Sequence, residues 1–384
     1  MPKLSYLLNY QLPPALQWII LAGLMALPLA FTASQYQAGQ GFTALIFFGS
    51  NFQLTTGSRL AEVPHSIYPG PGYDGQFYAQ LALDPLLQDP TTARALDNPS
   101  YRARRIFIPI LAFMTGFGQP APVIQAYALI NLVFFAALLL GIQFFLRPQT
   151  IQHFLIAAAI AWTGGALASV SRALVDLPAS VLLLYACFLP ANLASISLAA
   201  AILARETSVV SLLSVVWFSS SERADNRRLA LRAALILFPM AAWLLYLARV
   251  MPFGSPAGTN NFSLPFIAWA QHLLSSLSAL VQERQPIALG EVTASLSFAA
   301  QACYLIVFPR KESAFWRMGI GFAILYFCLG SSALVQQLAY GRVVLPLTIA
   351  FNLLLWQKDT RHFLTWFVVG NAGVVLGFLI SFLF

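Results

Sequence analysis

The run Gly72-Tyr73-Asp74-Gly75-Gln76-Phe77-Tyr78 sets one carboxylate between glycines and aromatic rings. A carboxylate so placed can take the proton of a hydroxyl group while that oxygen attacks an electrophile, which is general-base chemistry. Arginine supplies the complementary chemistry, because its planar fork of donors grips a phosphate with two bonds at once. Arg102, Arg104 and Arg105 crowd four positions, and Arg205 and Arg342 stand at later breaks between apolar runs. The candidate set is Asp74 as catalytic base, with Arg102, Arg105, Arg205 and Arg342 to hold a phosphate leaving group. Tyr73, Gln76 and Tyr78 flank the base as further substrate contacts.

Each residue also has a plainer reading. Asp74-Gly75 follows Pro69-Gly70-Pro71-Gly72, and Asp-Gly after such a run is turn chemistry. Asp84-Pro85 reads as the stop of a helix begun near Gly75, since a residue before proline avoids helical geometry. The three close arginines also suit anchoring at a lipid headgroup layer. Arg172 and Asp176 have the four-residue spacing of an ion pair on one helix face, and Arg205 with Glu206 suits the cap of a helix pair. His65 is a single loop histidine, more in keeping with packing or solvent than with catalysis.

Metal and nucleotide chemistry find no pattern. Asp74 has no adjacent acid, whereas hard cations gather several oxygens, so no metal or other cofactor is expected and a divalent ion has no specific support. Cys187, Cys303 and Cys328 fall in apolar runs without metal-ligand spacing. No glycine-rich phosphate loop of the Walker or Rossmann kind occurs.

The elements that must carry these residues are membrane helices. Of 384 residues, 59% are hydrophobic and only 9% charged, which excludes a soluble globular domain. Apolar runs near the length of a bilayer crossing recur, and helices satisfy their own backbone hydrogen bonds there. They cover Pro14 to Ala33, Val123 to Leu146, Phe154 to Val170, Val175 to Leu189, Leu193 to Ala204, Ser208 to Phe218 and Leu231 to Val250. The later ones are Val292 to Phe308, Phe315 to Gly330, Val343 to Trp356 and Phe363 to Phe384. Ile106 to Gly118 is too short to cross and is expected to dip into one leaflet. The first run is long and preceded by Lys3 alone, so it reads as a span and not a cleaved signal. The fold class is therefore an all-α polytopic membrane protein, one integral domain over residues 1–384 with about 10–11 transmembrane helices.

The net charge of +8 reports topology, with no nucleic-acid partner implied. Basic residues such as Arg223, Arg227, Arg228, Arg232, Arg310, Lys311 and Arg317 cluster in short breaks, which favours a cytoplasmic amino terminus. Residues 34–105 then form a large first extracytoplasmic loop, and 251–290 a second segment expected to cover an acceptor entrance. The same orientation brings Asp74, Arg102, Arg104, Arg105, Arg172, Asp176, Arg205, Glu206 and Arg342 to the external face or just beneath it. Charges at such depth mark a pathway or a site.

Tyr73 to Tyr78, followed by Leu81-Ala82-Leu83-Asp84-Pro85 and by Tyr101-Arg102 and Arg105, resembles bacterial membrane proteins of cell-surface glycopolymer formation. It is also similar to the tryptophan-aspartate loop of GPI mannosyltransferase-like enzymes. All of these look like GT-C glycosyltransferases, multi-span enzymes that take sugars from polyprenyl-phosphate donors. Leu203-Ala204-Arg205-Glu206-Thr207 is similar to a short arginine turn of that superfamily. Tyr340-Gly341-Arg342-Val343-Val344-Leu345-Pro346 resembles its late Arg-Tyr-x-x-x-Pro element, with Val343 where the aromatic would stand. The resemblance implies a GT-C-like bundle in a bacterial cytoplasmic membrane, with Asp74 as the catalytic acidic residue of the first external loop. Its implied partners are a polyprenyl-phosphate-linked sugar donor, a glycan or glycolipid acceptor and membrane lipid.

Two other function classes stay open. A flippase-like transporter would also put arginines and acids in a membrane cavity, although it is expected to carry internal repeats, and no clear repeat is visible. A non-catalytic assembly component of a surface polysaccharide system would tolerate loss of Asp74.

Overall fold

Apolar runs with no water to bond their backbone must close their own hydrogen bonds, and this chain does so almost entirely with helices. The computed structural model describes residues 7–212, 214, 226–251, 259–335, 337–356 and 360–383. Five helices among them are long and apolar enough to cross a bilayer: Pro14–Ser34, Pro120–Leu146, Arg227–Val250, Pro286–Val307 and His362–Ile380. At about 1.5 Å per residue, helices of this length match a hydrocarbon core of about 30 Å. Four shorter apolar helices, Asp176–Phe188, Ala191–Ala204, Ala314–Phe327 and Leu345–Trp356, complete the bundle. The chain is an all-α polytopic integral membrane protein.

The span expected at Phe154 to Val170 is broken. Helices Ile151–Ala161 and Gly164–Ser171 meet at a 49° bend. Thr163 adopts an extended conformation there, and its hydroxyl accepts the N–H of Ala166 at 3.2 Å, so it starts a new helix instead of continuing the old one. The expected span at Ser208 to Phe218 begins as a 3-10 turn, Glu206–Ser211; residues 213 and 215–218 lie outside the described residues. So do Arg223, residues 252–258 of the second segment and 357–359 of the last basic break. The run at Ile106 to Gly118 yields only a nine-residue helix, Phe107–Thr115, as its length required.

Helices pack closely where small residues let backbones approach, the usual device inside membranes. Pro286–Val307 lies along Thr360–Leu383. Ser297 bridges them, donating to Val369 at 2.8 Å and accepting from the Gly373 N–H at 3.1 Å. A side chain at Gly373 would come within 2.0 Å of the Thr293 carbonyl oxygen. Asn352 and Asn371 exchange amide hydrogen bonds of 2.9 and 3.0 Å within the same bundle.

The polar stretch 34–105 is more than a loop. It folds into short helices and a two-stranded parallel sheet pairing Phe48–Gly49 with Ile67–Tyr68. Within it, helix Gly75–Leu83 is buried at every residue, packed on Phe107–Thr115 and Pro120–Gly141. Two glutamines make that burial tolerable. The side-chain oxygens of Gln76 and Gln80 accept the backbone N–H groups of Gly49 and Gly57, each at 2.9 Å, so neither amide oxygen is left orphaned.

Candidate functional site

Asp74 immediately precedes the buried helix Gly75–Leu83, but its side chain makes no cap. Its carboxylate is thus available to groups from elsewhere. Two glycines hold it in place. Gly72 has a positive φ of 67°, and a side chain there would lie 2.4 Å from the Phe47 carbonyl oxygen. At Gly75 an added carbon would lie 2.4 Å from the Arg172 carbonyl oxygen, so only glycine lets the loop approach that turn.

Two arginines from distant segments meet the carboxylate. Arg102, closing the short helix Pro99–Arg102, reaches Oδ1 at 2.9 Å. Arg342, on helix Gln337–Val343, reaches Oδ2 at 3.3 Å. The Asp74 side chain remains 30% accessible, so the pairing leaves part of it open. Burial alone would raise its pKa; the Arg102 and Arg342 guanidinium groups outweigh that and hold it well below the usual carboxylate range.

The remaining charges form a chain around this pair. Arg342 also stands 3.7 Å from Asp176, and Arg205 pairs with Asp176 as well. Arg105 is heavily engaged: it makes a two-pronged pair with Glu206 at 2.8 and 2.9 Å and donates to the hydroxyls of Tyr78 at 2.6 Å and Tyr101 at 2.5 Å. Arg102 shares itself with Asp97, donating through Nε at 2.8 Å and Nη2 at 2.7 Å. Aromatic faces line the same guanidinium groups, with Arg102 4.8 Å from the Phe77 ring and Arg342 5.1 Å from that of Tyr73.

The fold aims these side chains through helix ends. Arg205 leaves helix Ala191–Ala204 in an extended conformation while Glu206 opens the following 3-10 turn, so the two neighbours find different partners, Asp176 and Arg105. Helix Gly164–Ser171 ends at Arg172, and a side chain at Gly165 would lie 2.8 Å from the Gly341 carbonyl oxygen. That close crossing brings the Arg342 helix to the site. Behind it Tyr340 donates to buried Glu291 at 3.0 Å, and His272 lies 3.5 Å from the same carboxylate, pinning the helix from its other side.

Asp74, Arg102, Arg105, Arg205 and Arg342 therefore converge, together with Tyr73 and Tyr78. Gln76 does not share their role: it is buried, and its amide ties Gly49 to the Pro71 carbonyl, which it reaches at 2.8 Å. Asp84 ends its helix, its carboxylate accepting the N–H groups of Gln88 and Asp89. His65 bonds the Val63 carbonyl and packs on Phe48. The helix-face pair between Arg172 and Asp176 does not form. Ala173, with φ of 47°, turns the chain between two helices, and Arg172 stacks instead on Tyr73 at 4.4 Å. Asp97 and Tyr101 were not legible as members; no spacing rule links Asp97 to Arg102 outside a continuous helix.

Among the described residues no group of three or more His, Cys, Asp or Glu side chains is placed to hold a metal ion. Taken together, the helices and the buried charge cluster define a polytopic integral membrane protein with a cluster of paired charges at helix ends. Comparison with protein-family models, with curated proteins and with solved structures finds no match.

Proposed function

We propose that the protein is a membrane glycosyltransferase that moves a sugar from a polyprenyl-phosphate donor to a cell-surface glycan or lipid acceptor on the extracytoplasmic face. The observation that carries this reading is the accessible Asp74 carboxylate held between Arg102 and Arg342 at the end of a membrane bundle. An acid among arginines suits a reaction in which a proton is taken from one substrate and negative charge develops on a phosphate of the other.

In that reaction the acceptor hydroxyl oxygen bonds to the anomeric carbon as the bond from that carbon to the donor phosphate oxygen breaks. The hydroxyl proton passes to Asp74, and the lipid phosphate departs with the electron pair. Its charge is met by guanidinium groups. A carboxylate between two arginines is a weak base, so a phosphate that draws Arg342 toward itself would return basicity to Asp74 when the donor is present.

One observation favours a second reading. Most acids of the cluster are engaged by arginines, as in a network built for structure alone, which suits a non-catalytic assembly or flippase-like component of a surface polysaccharide system. The two separate by complementation of a deletion strain with wild type and Asp74→Asn at matched membrane levels. Loss of the surface glycan supports Asp74 as the base. Full rescue by the variant assigns the protein to assembly or transport.

A further inference from the structure

The arginines of the cluster differ in what they have left to offer. Arg102 is engaged by Asp74 and Asp97, Arg105 by Glu206 and two tyrosines, and Arg205 by Asp176. For any of these to bind a new anion, a buried charge pair must first open, and the carboxylate left behind would be uncompensated. Arg172 stands apart. Among the described residues it has no carboxylate and no side-chain hydrogen-bond partner; its guanidinium rests on two rings, 4.4 Å from the centroid of Tyr73 and 5.7 Å from that of Phe47. Ring contacts orient a guanidinium without neutralising it or occupying its in-plane donors.

Tyr73 also carries Arg342, at 5.1 Å. Arg342 has the longest ion pairs of the cluster, with its two carboxylates at 3.3 and 3.7 Å; its Nε donates to the Leu338 carbonyl at 2.9 Å, which leaves the outer nitrogens to face an anion. The backbone beneath Arg172 is firm: Tyr127 donates to the Ala173 carbonyl at 2.8 Å, and the Arg172 carbonyl abuts Gly75. Two guanidinium groups, one unpaired and one loosely paired, therefore share one aromatic ring beside Asp74.

We propose that Arg172 and Arg342, set on Tyr73, form the anion subsite of this centre and take a phosphate group, with Arg172 as its first ligand. Assigning that phosphate to a lipid rests on the glycosyltransferase reading; the subsite itself rests on the free guanidinium. Occupation draws Arg342 from Asp74, so binding and release of the carboxylate are coupled.

The test is binding to the purified full chain in neutral detergent, with dodecyl phosphate and inorganic phosphate as probes. Arg172→Gln is expected to weaken binding about tenfold or more, the loss of one charge-assisted two-pronged contact. Arg172→Lys, which keeps the charge and loses the fork, should fall between, and Arg94→Gln, at an exposed position of the polar segment, should bind as wild type. Melting temperatures of all variants report folding. Binding of dodecyl phosphate alone identifies a lipid phosphate, and equal binding of inorganic phosphate a free anion; both support the subsite when Arg172→Gln weakens them by that factor. Wild-type affinity in folded Arg172→Gln, or no binding of either probe to wild type, overturns it. Sugar transfer is not measured, so this outcome is independent of the Asp74→Asn complementation.

Discussion

Asp74 and Arg342 are 268 positions apart in the chain and 3.3 Å apart in the fold. Their contact ties the polar segment after the first span to a short helix near the end of the bundle, and Arg342 extends the link to Asp176 at 3.7 Å. The centre is thus closed by tertiary structure: Arg105 and Asp176 of the first half find their partners, Glu206, Arg205 and Arg342, in the second.

Asp176 is buried and answers the buried Arg205. Asp176→Asn should destabilise the protein by about 3–5 kcal/mol, because the guanidinium is left in low dielectric without its partner. Asp176→Asn combined with Arg205→Met should recover much of that loss. Thermal unfolding in detergent reads both, and a single variant as stable as wild type would show that solvent reaches Arg205.

Gly75→Ala should be costly where Gly23→Ala is not. A methyl at residue 75 meets backbone oxygens at 2.4 and 3.0 Å that cannot swing away, an overpacking penalty of about 1–3 kcal/mol. At Gly23, inside the first helix, nothing lies within 4 Å of the added carbon, and alanine should be neutral or stabilising by about 0.5–1 kcal/mol. Melting temperatures of the two variants, with phosphate-probe binding for Gly75→Ala, check the contrast.

Acid should unfasten the centre. Burial alone would raise the Glu206 pKa, but pairing with Arg105 lowers it to about 2 in the folded chain, from an ordinary value of 4.5. A depressed folded value means that the unfolded chain takes up protons first as pH falls. The stabilisation from this pair is therefore complete above about pH 4.5 and is lost progressively toward pH 2. Asp74 adds to the loss in the same direction. Melting temperature followed from pH 6 to pH 3 should fall, and Arg105→Gln, though less stable, should fall less steeply. Parallel slopes would count against the pair as the source.

The class of the protein was legible from composition and apolar run length, because a bilayer accepts only chain that satisfies its own hydrogen bonds. The residues of the centre were largely legible too, since charged groups are rare in so apolar a chain and those near helix ends stand out. Their pairing was not. Four-residue spacing suggested Arg172 with Asp176, yet Ala173 turns the chain between them and sends Asp176 to Arg205 and Arg342. Gln76 looked like a ligand contact because it adjoins Asp74, but in a buried helix its amide is needed by the Gly49 N–H.

By itself, then, the sequence determined that this chain is a helical membrane protein with a few costly charges, because solvation in lipid is a property each segment has alone. Only the tertiary structure decided which arginine answers which acid, and which remains open to a ligand. Those choices depend on where helices break and how closely they cross, and glycine contacts between residues far apart in the chain, such as Gly75 with Arg172 and Gly165 with Gly341, set both.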